Sequence, residues 1–394
     1  MANTRYHALV LSLHQPHGNL DHLLVHDEWE AREILLAMDR IPRSLLDYQD
    51  VGRVNLALSG TLLETLMQSD FQSRAYGIVD CNLLLWHLHN TNIIDILGGA
   101  YYHPVMPLIP PADWDTQLER WKTIARRQFV NSDFQGFYPP DMGFCMEMIP
   151  LLRRCGYSFV MVDSEHVKPV TAMKQEALLY QPHIARFGDQ EIIVVVRDHD
   201  LSSAQEKGMT FGQFEQEVQK RTRGCDFPPL VTTGTDGQNC ACFRGATPDS
   251  NFWDVFYKPL IGQANADHQA IQPIFIKDYL DRFGASGEVT VGSGTWNTPG
   301  HGDHFVQWTG TPAQRKALTR VNEISQAVQV ALQNAANIGS QNPELSRLLE
   351  EAHWRVLRAE TSCNFFWGDA WVMRCHADLD QACEHLQQAD AHFN

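Results

Sequence analysis

The chain is predicted to be an α/β protein built on a parallel sheet. About seven short apolar runs recur between residues 8 and 233, helices or long loops separate them, and most runs end in a polar or ionisable residue. Strands that alternate with helical crossovers belong to parallel sheets, either closed barrels or doubly wound open sheets. From Thr311 onward the strands stop and three helical stretches follow, so the C-terminal part is predicted to be helical.

Ala8–Leu13 is almost continuously apolar, as a strand covered on both faces should be, and it exits into His14-Gln15-Pro16-His17. Asp27–Tyr48 places Ile34, Leu35, Met38, Ile41 and Leu45 at helical spacing, with Pro42 expected to break it in two. Val54–Ser59 is the second strand, Thr61–Leu66 begins a helix, and Asn82–Leu97 is a third. A short strand at 98–102 is expected to deliver His103, followed by a loop stiffened by Pro104, Pro107, Pro110 and Pro111. Asp113–Val130 is helical in pattern.

Gly136-Phe-Tyr138 is an aromatic strand closed by two prolines, which cannot donate to a ladder, and Asp141 follows them. Pro150 suits the first turn of a helix and Gly156 its C-cap, so the path to the strand at Tyr157–Val162 is a βαβ crossover, and Asp163 ends that strand. After an irregular stretch, Glu191–Val196 is the strongest strand signal and exits into Arg197-Asp198-His199-Asp200. Phe211–Arg221 is an amphipathic helix; Pro229–Thr233 is a strand leading to Asp236. Helices at about 251–261 and 273–283 and a strand candidate at Glu288–Val291 precede a loop rich in Gly, His, Trp and Asp between Gly292 and Trp308. Ala313–Asn337, Pro343–Arg358 and Trp371–Ala389 are the C-terminal helices.

Composition narrows the partners. A formal net charge of −16 argues against nucleic acid and suits a neutral substrate. No stretch reaches the ~20 apolar residues of a membrane span, and no signal peptide is recognised, so a cytoplasmic protein is expected. Nine cysteines without paired CxxC spacing are read as reduced thiols.

Six strand exits carry His14, His103, Asp141, Asp163, Arg197 with Asp198, and Asp236. In a closed parallel barrel these ends converge on one mouth, and two carboxylates there suit glycoside chemistry. Zinc bound by His14, His103 and the acids would instead give a metal-dependent hydrolase or deacetylase, but neither His14 nor His103 belongs to an HxH or HExxH spacing, and no metal or other cofactor is expected.

His14-Gln-Pro, Gly98-Gly-Ala-Tyr-Tyr-His103, Gly136-Phe-Tyr-Pro-Pro-Asp141, Asp236-Gly-Gln-Asn239, Gly294-Thr-Trp296 to Trp308, and Leu357-Arg-Ala-Glu360 to Trp367-Gly-Asp369 occur in this order. Together they resemble the conserved regions of glycoside hydrolase family 57. The resemblance implies an incomplete (β/α)7 TIM-like barrel over 1–295, a helical region over 296–394 packed on it, and retaining cleavage of α-1,4-glucans. Carried over by position, the nucleophile is Asp141 and the general acid/base is Asp236. Asp141 departs from the pattern, standing where the family has Glu. Retaining enzymes hold their carboxyls about 5–5.5 Å apart, so a side chain one methylene shorter either needs a backbone shift, weakens turnover, or leaves a glucan-binding homologue. His14, Gln15 and His103 are expected to bind sugar hydroxyls, Arg197 to keep the nucleophile ionised, and Asp198 to orient Arg197 or a sugar hydroxyl. Trp296, Trp308 and Trp367 are candidates for stacking on sugar rings or for the core. Oligomeric state is not legible.

Overall fold

The computed structural model describes residues 4–130, 132–245, 247, 250–266, 271–296, 304–339 and 341–393. Two compact units comprise 1–99, 121–138 and 145–292 in the first, and 100–120, 139–144 and 293–394 in the second.

Among the described residues the first unit's sheet runs along a path of seven parallel strands: β1 (Tyr6–Leu13), β2 (Val54–Leu58), β3 (Ile94–Leu97), β4 (Gly136–Phe137), β5 (Phe159–Asp163), β6 (Gln190–Arg197) and β7 (Leu230–Asp236), with Gln272–Pro273 pairing parallel to β1 off that path. Their order is β3-β2-β1-β7-β6-β5-β4, with Leu9 opposite Val54, Tyr6 opposite Leu230 and Asp163 opposite Arg197. Beyond Tyr6, every residue of β1 is buried, which explains its unbroken apolar run.

The sheet nearly closes on itself. Gly98, just past β3, donates to the Gly136 carbonyl at 2.7 Å and accepts from the Tyr138 amide at 2.9 Å, joining the two outer strands. Both glycines are required by close approach. A Cβ on Gly98 would lie 2.2 Å from the Tyr157 ring, and one on Gly136 would lie 2.2 Å from the Phe159 ring and 2.8 Å from Leu97. Gly136→Ala is therefore expected to destabilise the protein by roughly 1–3 kcal/mol, read as a lower denaturant midpoint with an unchanged slope.

Several elements differ from the sequence reading. The third strand is 94–97, not 98–102, because the helix before it stops at Asn90 and the glycine pair ends the strand. The spacing of Ile93, Ile94 and Ile96 served both readings, and pairing with β2 decides for strand. Pro42 does not split its helix, which runs Glu28–Arg43; the proline sits one residue from the end, where little ladder remains to break. The irregular stretch after Asp163 contains His183–Phe187, an antiparallel partner of β6, and Val167–Pro169, which pairs with Val289–Val291. Asp236 is the last residue of β7 and not part of the following loop. Among the described residues no helix is long and apolar enough to cross a membrane.

The second unit is mainly helical. Besides the first turns of α1 (Pro111–Gln128), it contains Pro312–Asn337, Pro343–Ala359 and Asp369–Asp390. Thr311 and Gln314 form a capping box at the first of these C-terminal helices, and Asn342 caps the second ahead of Pro343. Val321, Ile324, Val328, Ala352, Val356, Val372, Cys375 and Leu379 build a common core, which also takes in Trp308. The Gly292–Trp308 loop lies partly outside the described residues.

A buried polar cluster ties this unit together. The Asp113 carboxylate, fully buried, accepts from Ser325, from Gln329 at 3.0 Å and from His353 at 3.0 Å. Glu360 accepts from Gln117 at 2.8 Å. Burial and the neighbouring Asp113 charge push Glu360 well above its ordinary value of 4.5. Burial would also raise Asp113, but hydrogen bonds from His353, Glu360 and Ser325 outweigh it and bring the carboxyl down. Folded protein thus keeps a proton on Glu360 that the unfolded chain releases above 4.5, so stability falls as pH rises through the folded value. Glu360→Gln fixes the neutral form, and its thermal midpoint should decline less on going from about pH 5 to about pH 9 than that of the parent protein.

Candidate active site

At the C-terminal end of the first unit's sheet, β7 presents Asp236. Its carboxylate accepts from the Gln238 amide at 2.8 Å, the Asn239 amide at 2.9 Å and the Asn239 side chain at 2.7 Å. These bonds close a short polar turn directly after the strand. Burial raises the carboxyl, and those three hydrogen bonds only partly offset it. The turn also reaches β1, since the Gln238 side chain donates to the His14 carbonyl. Gln15 is buried and accepts from Asn19 at 2.8 Å, while its backbone carbonyl accepts from Thr61 at 2.7 Å.

The exits of β5 and β6 form a charged group in the same unit. Arg197, buried, donates to Asp163 at 2.5 Å and to the Gly234 carbonyl at 2.7 Å, two residues before Asp236. His199 holds the same carboxylate through Nδ1 at 3.1 and 3.2 Å. Burial opposes ionisation of Asp163, but His199 and Arg197 together hold its carboxyl below the usual range. Glu206, next along, accepts from Thr235 at 2.6 Å. Asp198 is turned elsewhere: it caps the helix after β6 through the Leu201 amide at 2.9 Å, accepts from the Tyr180 hydroxyl at 2.9 Å and pairs with Arg221 at 3.3 Å.

In the second unit, Asp141 and His103 share an uncommon backbone. Asp141 has φ 50° and ψ 26°, Met142 has φ 57° and His103 has φ 57°. For residues other than glycine this left-handed region costs of order 1–3 kcal/mol each and concentrates at functional positions. Local pairing holds the Asp141 segment, because Trp296 donates its amide to the Asp141 carbonyl at 3.2 Å and Phe144 pairs with Gly294. The His103 carbonyl accepts from the Ser362 amide at 3.1 Å, and burial lowers its imidazole to about 3, so it is neutral at physiological pH. Trp308 is completely buried in the helical core and takes the core role. Trp367 is 54% exposed and touches Phe366, with ring centroids 4.8 Å apart.

The structure thus places Asp141 beside Trp296 in one unit, and His14, Arg197 and Asp236 in the other. The sequence reading passed over His199, Glu206 and Tyr180. His199 follows directly on Arg197-Asp198 at the strongest strand, which was the available signal; Glu206 and Tyr180 each end a helix, with nothing to single them out. Among the described residues no three His, Cys, Asp or Glu side chains group to hold a metal ion.

The sequence profile of glycosyl hydrolase family 57 matches residues 8–292. The chain belongs to that family. Among curated proteins, the 4-alpha-glucanotransferase of Thermococcus litoralis is 27% identical over 188 residues, 48% of this chain and 26% of that enzyme. The alpha-amylase of Pyrococcus horikoshii is 24% identical over 189 residues, 48% of this chain and 27% of that one. Among solved structures, the alpha-amylase of Thermotoga maritima superposes with a TM-score of 0.70 at 10% identity, covering 98% of this chain and 93% of that one. The Pyrococcus horikoshii family 57 branching enzyme gives 0.68 at 12% identity, covering 98% and 88%. At such identities the likeness establishes the fold, a nearly closed seven-stranded family 57 barrel. The chain spans only 60% of the Thermococcus litoralis 4-alpha-glucanotransferase structure.

Proposed function

We propose that this family 57 chain is a retaining enzyme on α-1,4-linked glucans, a hydrolase or transglycosylase, with Asp141 as nucleophile and Asp236 as general acid/base. The observation that carries the reading is Asp236 itself: a strand-end carboxyl raised by burial, held by its own turn in one orientation. A general acid works best with its carboxyl moved up from the ordinary carboxylate range, and burial moves Asp236 in that direction. In the first step Asp236 would protonate the glycosidic oxygen as Asp141 attacks the anomeric carbon, giving a glycosyl ester. In the second, Asp236 would take a proton from water or from a sugar hydroxyl, which then displaces Asp141. Water yields hydrolysis and a sugar acceptor yields transfer. The names of the relatives, 4-alpha-glucanotransferase and alpha-amylase, span both outcomes.

A second reading, a glucan-binding homologue with impaired chemistry, is favoured by Asp141 being one methylene shorter than the family's Glu. Product analysis on maltoheptaose and amylose separates the readings. New chain lengths indicate a transferase, glucose and short maltooligosaccharides indicate a hydrolase, and binding without products indicates the homologue.

A further inference from the structure

His199 opens the eight-residue helix His199–Glu206, directly after β6. A positive charge at that position is opposed by the helix dipole and by the neighbouring Arg197 guanidinium, yet the Asp163 carboxylate raises the imidazole, and Glu165 adds to this; partial burial works the other way. The charged groups that face the ring are Asp163 from β5, Arg197 from β6 and Glu165 from the turn after β5. The two ring nitrogens point in opposite directions, so with Nδ1 on Asp163 at 3.1 Å, Nε2 faces away from the buried carboxylate. The side chain is 25% accessible, whereas Asp163 is fully buried. Among the described residues nothing hydrogen-bonds Nε2. Arg197, which shares Asp163, also holds the Gly234 carbonyl of the strand that ends in Asp236.

We propose that His199 is a substrate-positioning residue of this site: anchored on Asp163, its imidazolium offers Nε2–H as a charged donor to a hydroxyl oxygen of a bound glucan. The inference rests on the glucan reading above. Asp163 acts through His199, fixing the ring's orientation and favouring its charge. Binding should then be tight while the imidazole is protonated and weaken as pH rises through its folded value.

The test is calorimetric titration of maltoheptaose into the full chain, with Asp236→Asn to prevent turnover, from about pH 5.5 to about pH 8.5, alone and with His199→Gln or His199→Arg. The expected result is affinity in the His199→Gln protein at least about tenfold weaker at the acid end and flat with pH. His199→Arg, a permanent donor, should restore affinity within about threefold while abolishing the pH dependence. A merely structural role would lower thermal midpoints without moving the pH profile. If maltoheptaose binds equally well and with the same pH dependence after His199→Gln, the inference is overturned while the glucan reading stands. If none of the proteins binds maltoheptaose, the glucan reading fails and this inference with it.

Discussion

Asp236→Asn is expected to reduce kcat on maltoheptaose by about 10²–10⁴-fold while leaving maltoheptaose binding in place. An amide can neither protonate the leaving oxygen nor accept a proton from the incoming hydroxyl, so both steps lose their proton transfer. The fold should not suffer. The carboxyl of Asp236 is raised by burial, which means the folded state disfavours its ionised form, and a neutral amide removes that penalty. Asn can still accept from the Gln238 and Asn239 amides that hold the present side chain at 2.8 and 2.9 Å. A thermal midpoint equal to or above that of the parent, together with lost turnover, is the expected pair of results. Turnover within about threefold of the parent would remove Asp236 from the chemistry. The parent's own kcat/KM should fall as pH rises through the folded value of this carboxyl, because the protonated form is the working one.

Asp141→Glu is expected to raise turnover by on the order of a hundredfold, the scale on which a displacement of about 1 Å costs rate. The variant supplies the family's longer carboxylate from the same backbone. That backbone is unusual, with φ 50° at Asp141 and 57° at Met142 behind two prolines. Asp tolerates the left-handed region better than Glu, so the variant should also lose a few tenths of a kcal/mol of stability, a small shift in denaturant midpoint. Asp141→Asn, which keeps the size and removes the charge, should have no turnover. A parent already as fast as the Glu variant would mean that the local chain path makes up the missing reach. Activity in the Glu variant alone would identify the parent as a binding protein on an enzyme's scaffold.

How much of this was legible before the structure varies by residue for physical reasons. β1 and β6 were readable because strands buried on both faces must be apolar along their length, and their exits at His14 and Arg197 follow from where that pattern stops; β7 was readable only to Thr233, because Gly234 and Thr235 continue the strand to Asp236 without an apolar side chain. β3 was not, since Ile93, Ile94 and Ile96 satisfy helical and extended spacing alike and only pairing with β2 decides between them. The family itself was legible from six short motifs in order, and the profile match over 8–292 agrees with it.

Side-chain direction is what a linear pattern leaves open. Arg197, Asp198 and His199 are adjacent in sequence, but the pleat and the helix start send Arg197 and His199 to Asp163 and send Asp198 to Tyr180 and Arg221. Trp308 and Trp367 belong to the last two of those motifs, yet one is buried in the helical core and the other is 54% exposed. Composition and periodicity determined the parallel sheet, the helical C-terminal part and the acids at strand ends, because burial imposes those patterns on each segment independently. Which of the polar side chains share a proton, a charge or a core was decided by tertiary structure alone, because those partnerships join residues tens to hundreds of positions apart.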